Sequence, residues 1–96
     1  MLERNLEDVA IVIRPGRDNV AVVTVDSLEA GDILRYNDGQ LTVTGRTLLG
    51  QSFAIREIQK GEAYITLGDP IGLASRQVFP GEPIDDTKFQ PANASG

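Results

Sequence analysis

Leu28-Glu29-Ala30-Gly31-Asp32-Ile33-Leu34-Arg35-Tyr36-Asn37-Asp38-Gly39-Gln40-Leu41-Thr42-Val43-Thr44 is the stretch that decides the fold class. Two apolar runs, Ile33 to Tyr36 and Leu41 to Thr44, flank Asn37-Asp38-Gly39-Gln40. Asp-Gly is favoured where a tight hairpin turn needs positive φ, so the stretch predicts a β-hairpin turning at Asp38-Gly39. Upstream, Leu28 to Leu34 has the form apolar-x-x-Gly-acidic-x-apolar. Gly31 predicts a turn, because glycine takes positive φ without a Cβ penalty.

That form recurs. Ile58-Gln59-Lys60-Gly61-Glu62-Ala63-Tyr64 is a second copy and Val78-Phe79-Pro80-Gly81-Glu82-Pro83-Ile84 a third. Leu49-Gly50-Gln51-Ser52-Phe53 is a degenerate fourth. The flanking apolar residues anchor each turn in a core. The acidic residue after Gly either accepts a local backbone hydrogen bond or faces solvent. The spacing is uneven, which excludes a solenoid and predicts one fold whose strands are entered through similar turns.

Other runs extend the β pattern. Val9 to Ile13 is apolar and β-branched, stopped by Pro15-Gly16, and reads as a strand covered on both faces. Val20 to Val25, Phe53 to Ile55 and Tyr64 to Leu67 supply further strands, and Phe53 belongs to the core. No window sustains a helical apolar period; the best helical candidate is a turn near Leu48. The predicted class is all-β. Residues 1–8 are polar and residues 91–96 are small and breaker-rich, so both ends read as flexible around a domain at 9–90.

Composition narrows the chemistry. The 96 residues include no Cys and no His, which removes disulfides, thiol nucleophiles, imidazole proton shuttles and Cys- or His-ligated metals from this chain. Acid–base work would fall to Asp, Glu, Lys and Tyr. The formal net charge of -5, with scattered basic residues, argues against nucleic-acid binding. No apolar run is long enough to span a membrane, and the charged start has no signal-peptide core, so a cytoplasmic location is expected.

Asp18-Asn19-Val20-Ala21-Val22, Phe53-Ala54-Ile55-Arg56-Glu57-Ile58, Lys60-Gly61-Glu62-Ala63 and Gly68-Asp69-Pro70-Ile71-Gly72 occur in this order. Together they resemble the SAF-type β-clip domain of the altronate/galactarate dehydratase family, over residues 9 to 84. In that family the domain is N-terminal to a sugar-acid dehydratase or forms a separate small subunit; the small subunit of sulfolactate sulfo-lyase is similar. The resemblance implies a compact β-clip of bent hairpins. It implies a role beside a larger subunit or domain that holds the metal and eliminates water from a hydroxy acid, with this domain near the active-site entrance. A cofactor in this chain itself is not implied. An alternative is a free-standing SAF-type module that binds an acidic sugar, as SAF-like domains also occur in sialic acid synthases and antifreeze proteins. A homo-oligomer is compatible with either. A third reading, an independent hydrolase or lyase, lacks an acid and base that can be placed on one face.

The sequence departs from the family pattern at two places. Where the family has His-Lys after the glycine, this chain has Gln51-Ser52. Where the family has a His-x-His-Asn stretch, Asp85-Asp86-Thr87-Lys88 follows Ile84. Gln51 can hydrogen-bond but cannot titrate.

No catalytic residue and no metal ligand is assigned. The substrate-binding candidates are Gln51, Arg56 and Lys60. Gln51 replaces the family histidine on a Gly turn, though it also reads as an exposed loop amide. Arg56, in an expected strand, and Lys60, in the turn after it, could meet a carboxylate or simply be solvated charges. Asp85 and Asp86 read as hard-cation ligands or as a solvated loop. Arg14-Pro15-Gly16-Arg17 reads as an anion grip or a plain turn. Gly68 to Gly72 lacks the phosphate-loop pattern and reads as a tight reversal.

Overall fold

The computed structural model describes residues 3–14, 16–66, 69–85 and 89–90. The chain is almost entirely β. Its strands are β1 (Glu3–Asn5), β2 (Ala10–Ile11), β3 (Val20–Val23), β4 (Ser27–Leu28), β5 (Ile33–Tyr36) and β6 (Gly39–Thr42). They continue with β7 (Thr47–Leu48), β8 (Ser52–Ala54), β9 (Ala63–Thr66), β10 (Asp69–Ala74) and β11 (Phe89–Gln90). Among the described residues the only helix is one 3-10 turn, Leu6–Asp8. Three small sheets have the orders β1-β5-β6, β2-β3-β8 and β11-β10-β9, and β4 pairs with β7.

The apolar-x-x-Gly repeat is the structural unit. In each copy the residue after Gly donates its N–H back to the carbonyl three residues earlier: Asp32 to Glu29 (3.1 Å), Gln51 to Leu48 (2.9 Å), Glu62 to Gln59 (2.9 Å) and Glu82 to Phe79 (3.1 Å). Gly31, Gly50, Gly61 and Gly81 all lie at φ between +83° and +98°, the left-handed region that a type II turn requires at its third position. The side chain after Gly then closes the turn from the other side. Asp32, Gln51, Glu62 and Glu82 accept the N–H of Glu29 (3.0 Å), Leu48 (2.8 Å), Gln59 (2.8 Å) and Phe79 (2.6 Å). The residue after Gly thus accepts a local bond in all four turns.

Each turn is also pinned to a strand by two backbone bonds. The Gly N–H donates to a carbonyl, and the same strand residue donates back to the residue after Gly. The anchors are Val43, Val23, Ala74 and Ala54 in turn order, and all four are buried. Leu28, Thr47, Ile58 and Val78, three residues before each Gly, are fully buried. They join the turns in two antiparallel pairs, Leu28 with Thr47 and Ile58 with Val78.

Strands β3 and β8 form the wall between two cores. Their register pairs Val20 with Ala54 and Ala21 with Phe53. Because side chains alternate across a strand, Ala21, Val23 and Phe53 enter a cluster with Leu28, Leu34 and Val43. Val20 and Ala54 enter a second cluster with Ile58, Tyr64 and Val78. Burying a side chain such as Phe53 contributes about 1.5–3 kcal/mol. Asn19, fully buried at the start of β3, fastens β9 to this wall. Its Nδ2 donates to Ala63 O (2.8 Å), and its Oδ1 accepts Ile65 N–H (2.7 Å). Its own N–H donates to Ile65 O, and its carbonyl accepts Ile55 N–H.

Several expectations are corrected. Coverage on both faces belongs to β3, not to Val9–Ile13: only Ala10–Ile11 pairs as a strand, and Ile11 and Ile13 are exposed. Of residues 1–8, read as a loose polar end, Glu3–Asn5 pairs in parallel with β5 and the 3-10 turn Leu6–Asp8 buries Leu6; Arg4 meets the buried Asp32 at 3.3 Å. The hairpin turns one residue early. Asn37 takes positive φ (55°), while Gly39 already pairs with Tyr36, a register that keeps Leu34 opposite Leu41 on the core face. Asn tolerates this conformation better than most residues. Leu48 lies in a strand rather than a helical turn. Of the reversal expected at Gly68–Gly72, residues 69–72 lie in strand β10, with a bulge between Pro70 and Gly72 that leaves Ile71 exposed; Gly68 lies outside the described residues. The tail at 91–96 lies outside the described residues.

The turns predict two stability series, read by urea midpoints. Gly61 has open space where a Cβ would go, so Gly61→Ala should cost only the positive-φ penalty, about 1–2 kcal/mol. At Gly81 a Cβ would overlap the Thr42 carbonyl, and Gly81→Ala should cost more than about 4 kcal/mol or prevent folding. Glu82→Ala should cost about 1–2 kcal/mol through the orphaned Phe79 N–H, while Glu82→Gln, which keeps an acceptor as Gln51 does, should cost less than half as much.

Candidate functional site

A groove of about 320 Å³ opens beside the second core, which contributes Val20, Tyr64 and Ile84 to its lining. Gly50, Gln51, Ser52, Ile71 and Asp85 complete the lining, and Ser52 and Ile84 lie side by side, the Ile84 N–H donating to the Ser52 carbonyl at 2.9 Å. The second turn places Gln51 there, and the bulge in β10 places Ile71. Leu49, next to Gly50, is 60% exposed and Ile71 is 43% exposed, so an apolar rim borders the groove.

The groove gathers the two departures from the family pattern. Gln51 and Asp85 are distant in sequence and share one wall-to-wall cavity. The orientation of Gln51 is fixed by chemistry. Only its oxygen can accept the Leu48 N–H at 2.8 Å, so Oε1 faces the turn and Nε2 is the remaining polar group. Neither Nε2 nor the Ser52 hydroxyl has a hydrogen-bond partner among the described residues. No described lining residue of this groove is basic.

Tyr64 is fully buried in the groove's inner wall. Burial pushes its phenol above the ordinary value of 10.0; Arg76 pulls it down, and Glu82 and Asp85 push it up further. The phenol is therefore a neutral hydrogen-bonding group across the physiological range.

The three binding candidates are not brought together. Gln51 is in this groove. Arg56 is in the bend after β8, not in a strand. It lines a separate groove with Tyr36 and Pro80, and its guanidinium meets Glu62 at 3.2 Å. Lys60 is exposed at the tip of the third turn and lines none of the three grooves at Gln51, Arg56 and Arg35. A further groove is lined by Ile11, Tyr36 and Arg35, whose guanidinium is 3.6 Å from Glu3. In the proposed anion grip, the Arg17 and Asp18 N–H groups donate to the Arg14 carbonyl and the Asp18 carboxylate takes the Arg14 N–H (3.0 Å) that an anion would use; Pro15 lies outside the described residues.

Among the described residues no three Asp and Glu side chains converge on a point that could hold a metal ion. Asp85 is exposed on the groove; Asp86, Thr87 and Lys88 lie outside the described residues. No described helix is long and apolar enough to cross a membrane. Ser52, Tyr64, Ile71 and Ile84 are groove residues that sequence reasoning did not single out for binding. The signal for Ser52 was its place beside Gln51; the outward turn of Ile71 depends on a bulge that no local pattern marks.

These features, an all-β chain entered through Gly-acidic turns, define an SAF-like domain. The family model of the altronate/galactarate dehydratase SAF domain matches residues 9–91. The chain belongs to that family. No curated protein matches it significantly.

Tyr64 makes an alkaline prediction. Its folded-state proton is held above the ordinary phenol value, so the unfolded chain releases its proton first as pH climbs. The stabilisation is complete below pH 10.0 and declines above it. Urea midpoints should fall more steeply above this pH in the native chain than in Tyr64→Phe.

Proposed function

We propose that this chain is the accessory, non-catalytic SAF domain or small subunit of a sugar-acid dehydratase of the altronate/galactarate type. In this reading it docks on a larger catalytic subunit or domain and forms part of the substrate entrance. The larger partner holds any metal and carries out elimination of water from the hydroxy acid; a cytoplasmic setting goes with such an enzyme. The chain's own residues bind and orient.

One observation carries the reading: Gln51 and Asp85, the two family-departure positions, converge on a single groove bordered by exposed Leu49 and Ile71. Exposed apolar side chains beside a polar cleft suit a docking rim around a shared site. Family membership favours a large dehydratase subunit or domain as the partner. The absence of His from the sequence supports an accessory role, since imidazole is the usual proton carrier near neutral pH. The free-standing acidic-sugar module has less support. Arg56 is ion-paired, Lys60 is away from the three grooves, and the groove at Gln51 has no described basic residue.

Co-expression with the cognate large dehydratase subunit tests the proposal. The two should co-elute in gel filtration with fixed stoichiometry. Leu49→Asp combined with Ile71→Asp should weaken association at least about tenfold, as expected for charges placed in an apolar contact, without unfolding this chain. Separate elution, together with full dehydratase activity of the large subunit alone, would overturn the reading.

A further inference from the structure

Strand β1 lies at the edge of its sheet and pairs with β5 alone. The pairing is parallel, with Glu3 opposite Ile33, Arg4 opposite Leu34 and Asn5 opposite Arg35. Glu3 and Asn5 are exposed. Charge and one apolar anchor fasten the segment. Arg4 reaches the buried Asp32 (3.3 Å), Glu3 meets Arg35 at the surface (3.6 Å), and Leu6 enters the first core. The fit is imperfect, because Arg4 Nε is buried with no hydrogen-bond partner. A donor buried in that way weakens the attachment.

Lifting this segment would uncover a defined receptor. β5 would become an edge strand, a template for strand addition. Asp32, only 4% exposed, would keep the Glu29 N–H but lose its cation, and a buried charge without its partner is strongly unfavourable. Leu6 also lines the groove of about 570 Å³ beside β2, so its departure would widen that groove. An occupant must therefore be extended, run parallel to β5, and carry a cation two residues before an apolar side chain. Arg4-Asn5-Leu6 meets these demands. We infer that Glu3–Asp8 is a detachable strap, and that the slot it covers on β5 accepts the same segment from a second copy, giving a reciprocal strand-exchanged dimer. The exchange remakes the contacts of the closed chain, so the two forms differ mainly in the entropy of closing the strap on its own chain. Val9, whose N–H donates to the Leu6 carbonyl (3.0 Å), is the hinge, and straightening there breaks that local bond.

The inference stands on β1 and β5 alone and does not depend on the dehydratase partnership. Its test exploits the absence of Cys from the sequence. Asn5 and Arg35 are exposed register partners, and neighbouring strands run about 4.8 Å apart, within disulfide reach. Asn5→Cys and Arg35→Cys are made in separate copies of the chain, and the two are mixed and oxidised with glutathione disulfide. A tethered segment has an effective concentration of order millimolar, so the mixture is held at about 1 mM. Intact-mass spectrometry counts the products. The mixed disulfide should outnumber both same-variant disulfides. It should also exceed, at least about tenfold, the product of Asn5→Cys with Lys60→Cys, an exposed turn position that makes no contact with the slot in an exchanged dimer. Adding Arg4→Ala to the Asn5→Cys chain should remove most of that excess. Both cysteine substitutions in one chain at about 1 μM should instead close within the chain, because dilution favours the tethered strap. A mixed disulfide no more abundant than the Lys60 control, or a dilute double variant that fails to close within its own chain, would sink the inference.

Discussion

The fold depends on one small constraint used four times: a glycine at positive φ, followed by a side-chain oxygen that reaches back to an N–H. Neither part suffices alone. The glycine lets the chain reverse without a Cβ clash. The oxygen satisfies the N–H of the turn's first residue, which faces the outside of the turn and pairs with no strand. With both in place, each turn presents a fixed pair of backbone groups to Val23, Val43, Ala54 or Ala74. Those anchors are buried, so a turn that opened would leave unpaired polar groups in a core. Gly81 adds a steric demand to the conformational one, because the Thr42 carbonyl occupies the space beside it. A chain with few large apolar residues gains order from local geometry that a bigger core would otherwise supply.

The same constraint creates the groove. Turns pair as Leu28 with Thr47 and Ile58 with Val78, giving two similar halves that share the β3–β8 wall. Asn19 seals the halves along one line, with both side-chain groups and both backbone groups bonded. The cavity that holds Gln51, Ser52 and Asp85 lies beside the second half, whose Val20, Tyr64 and Ile84 line it. Gln51 reaches it from a closed turn, and Asp85 follows Ile84, whose N–H donates to the Ser52 carbonyl.

Legibility in the sequence followed the range of each interaction. The Gly-acidic turns were readable because glycine, carboxylate and apolar anchor lie within a few residues. The hairpin was readable, but its centre was not: Asp38-Gly39 is the stronger local signal, and the Leu34–Leu41 pairing overrides it. The first strand was missed because Glu3-Arg4-Asn5 has no apolar pattern; its order comes from pairing with β5 and from the Arg4–Asp32 contact. Among the candidate residues, Gln51 stood out through its position on a Gly turn, and it does line a groove. Its bond to Leu48 was hidden because an amide was not expected to stand in for the acid of the repeat. Arg56 looked available for an anion, and only the folded chain brings Glu62 to it.

The central claim is that four turns share one closing bond and that Gln51 supplies it without a charge. The NMR shifts of four backbone amide protons, those of Glu29, Leu48, Gln59 and Phe79, compared between the native chain and Asp32→Ala, Gln51→Ala, Glu62→Ala and Glu82→Ala, test it most directly. Each amide proton should move upfield when its own closing side chain is removed and stay in place when any of the other three is removed, because each turn has its own acceptor. A Leu48 amide that does not move in Gln51→Ala, or any of the other three that does not move when its own acid is removed, would contradict the account.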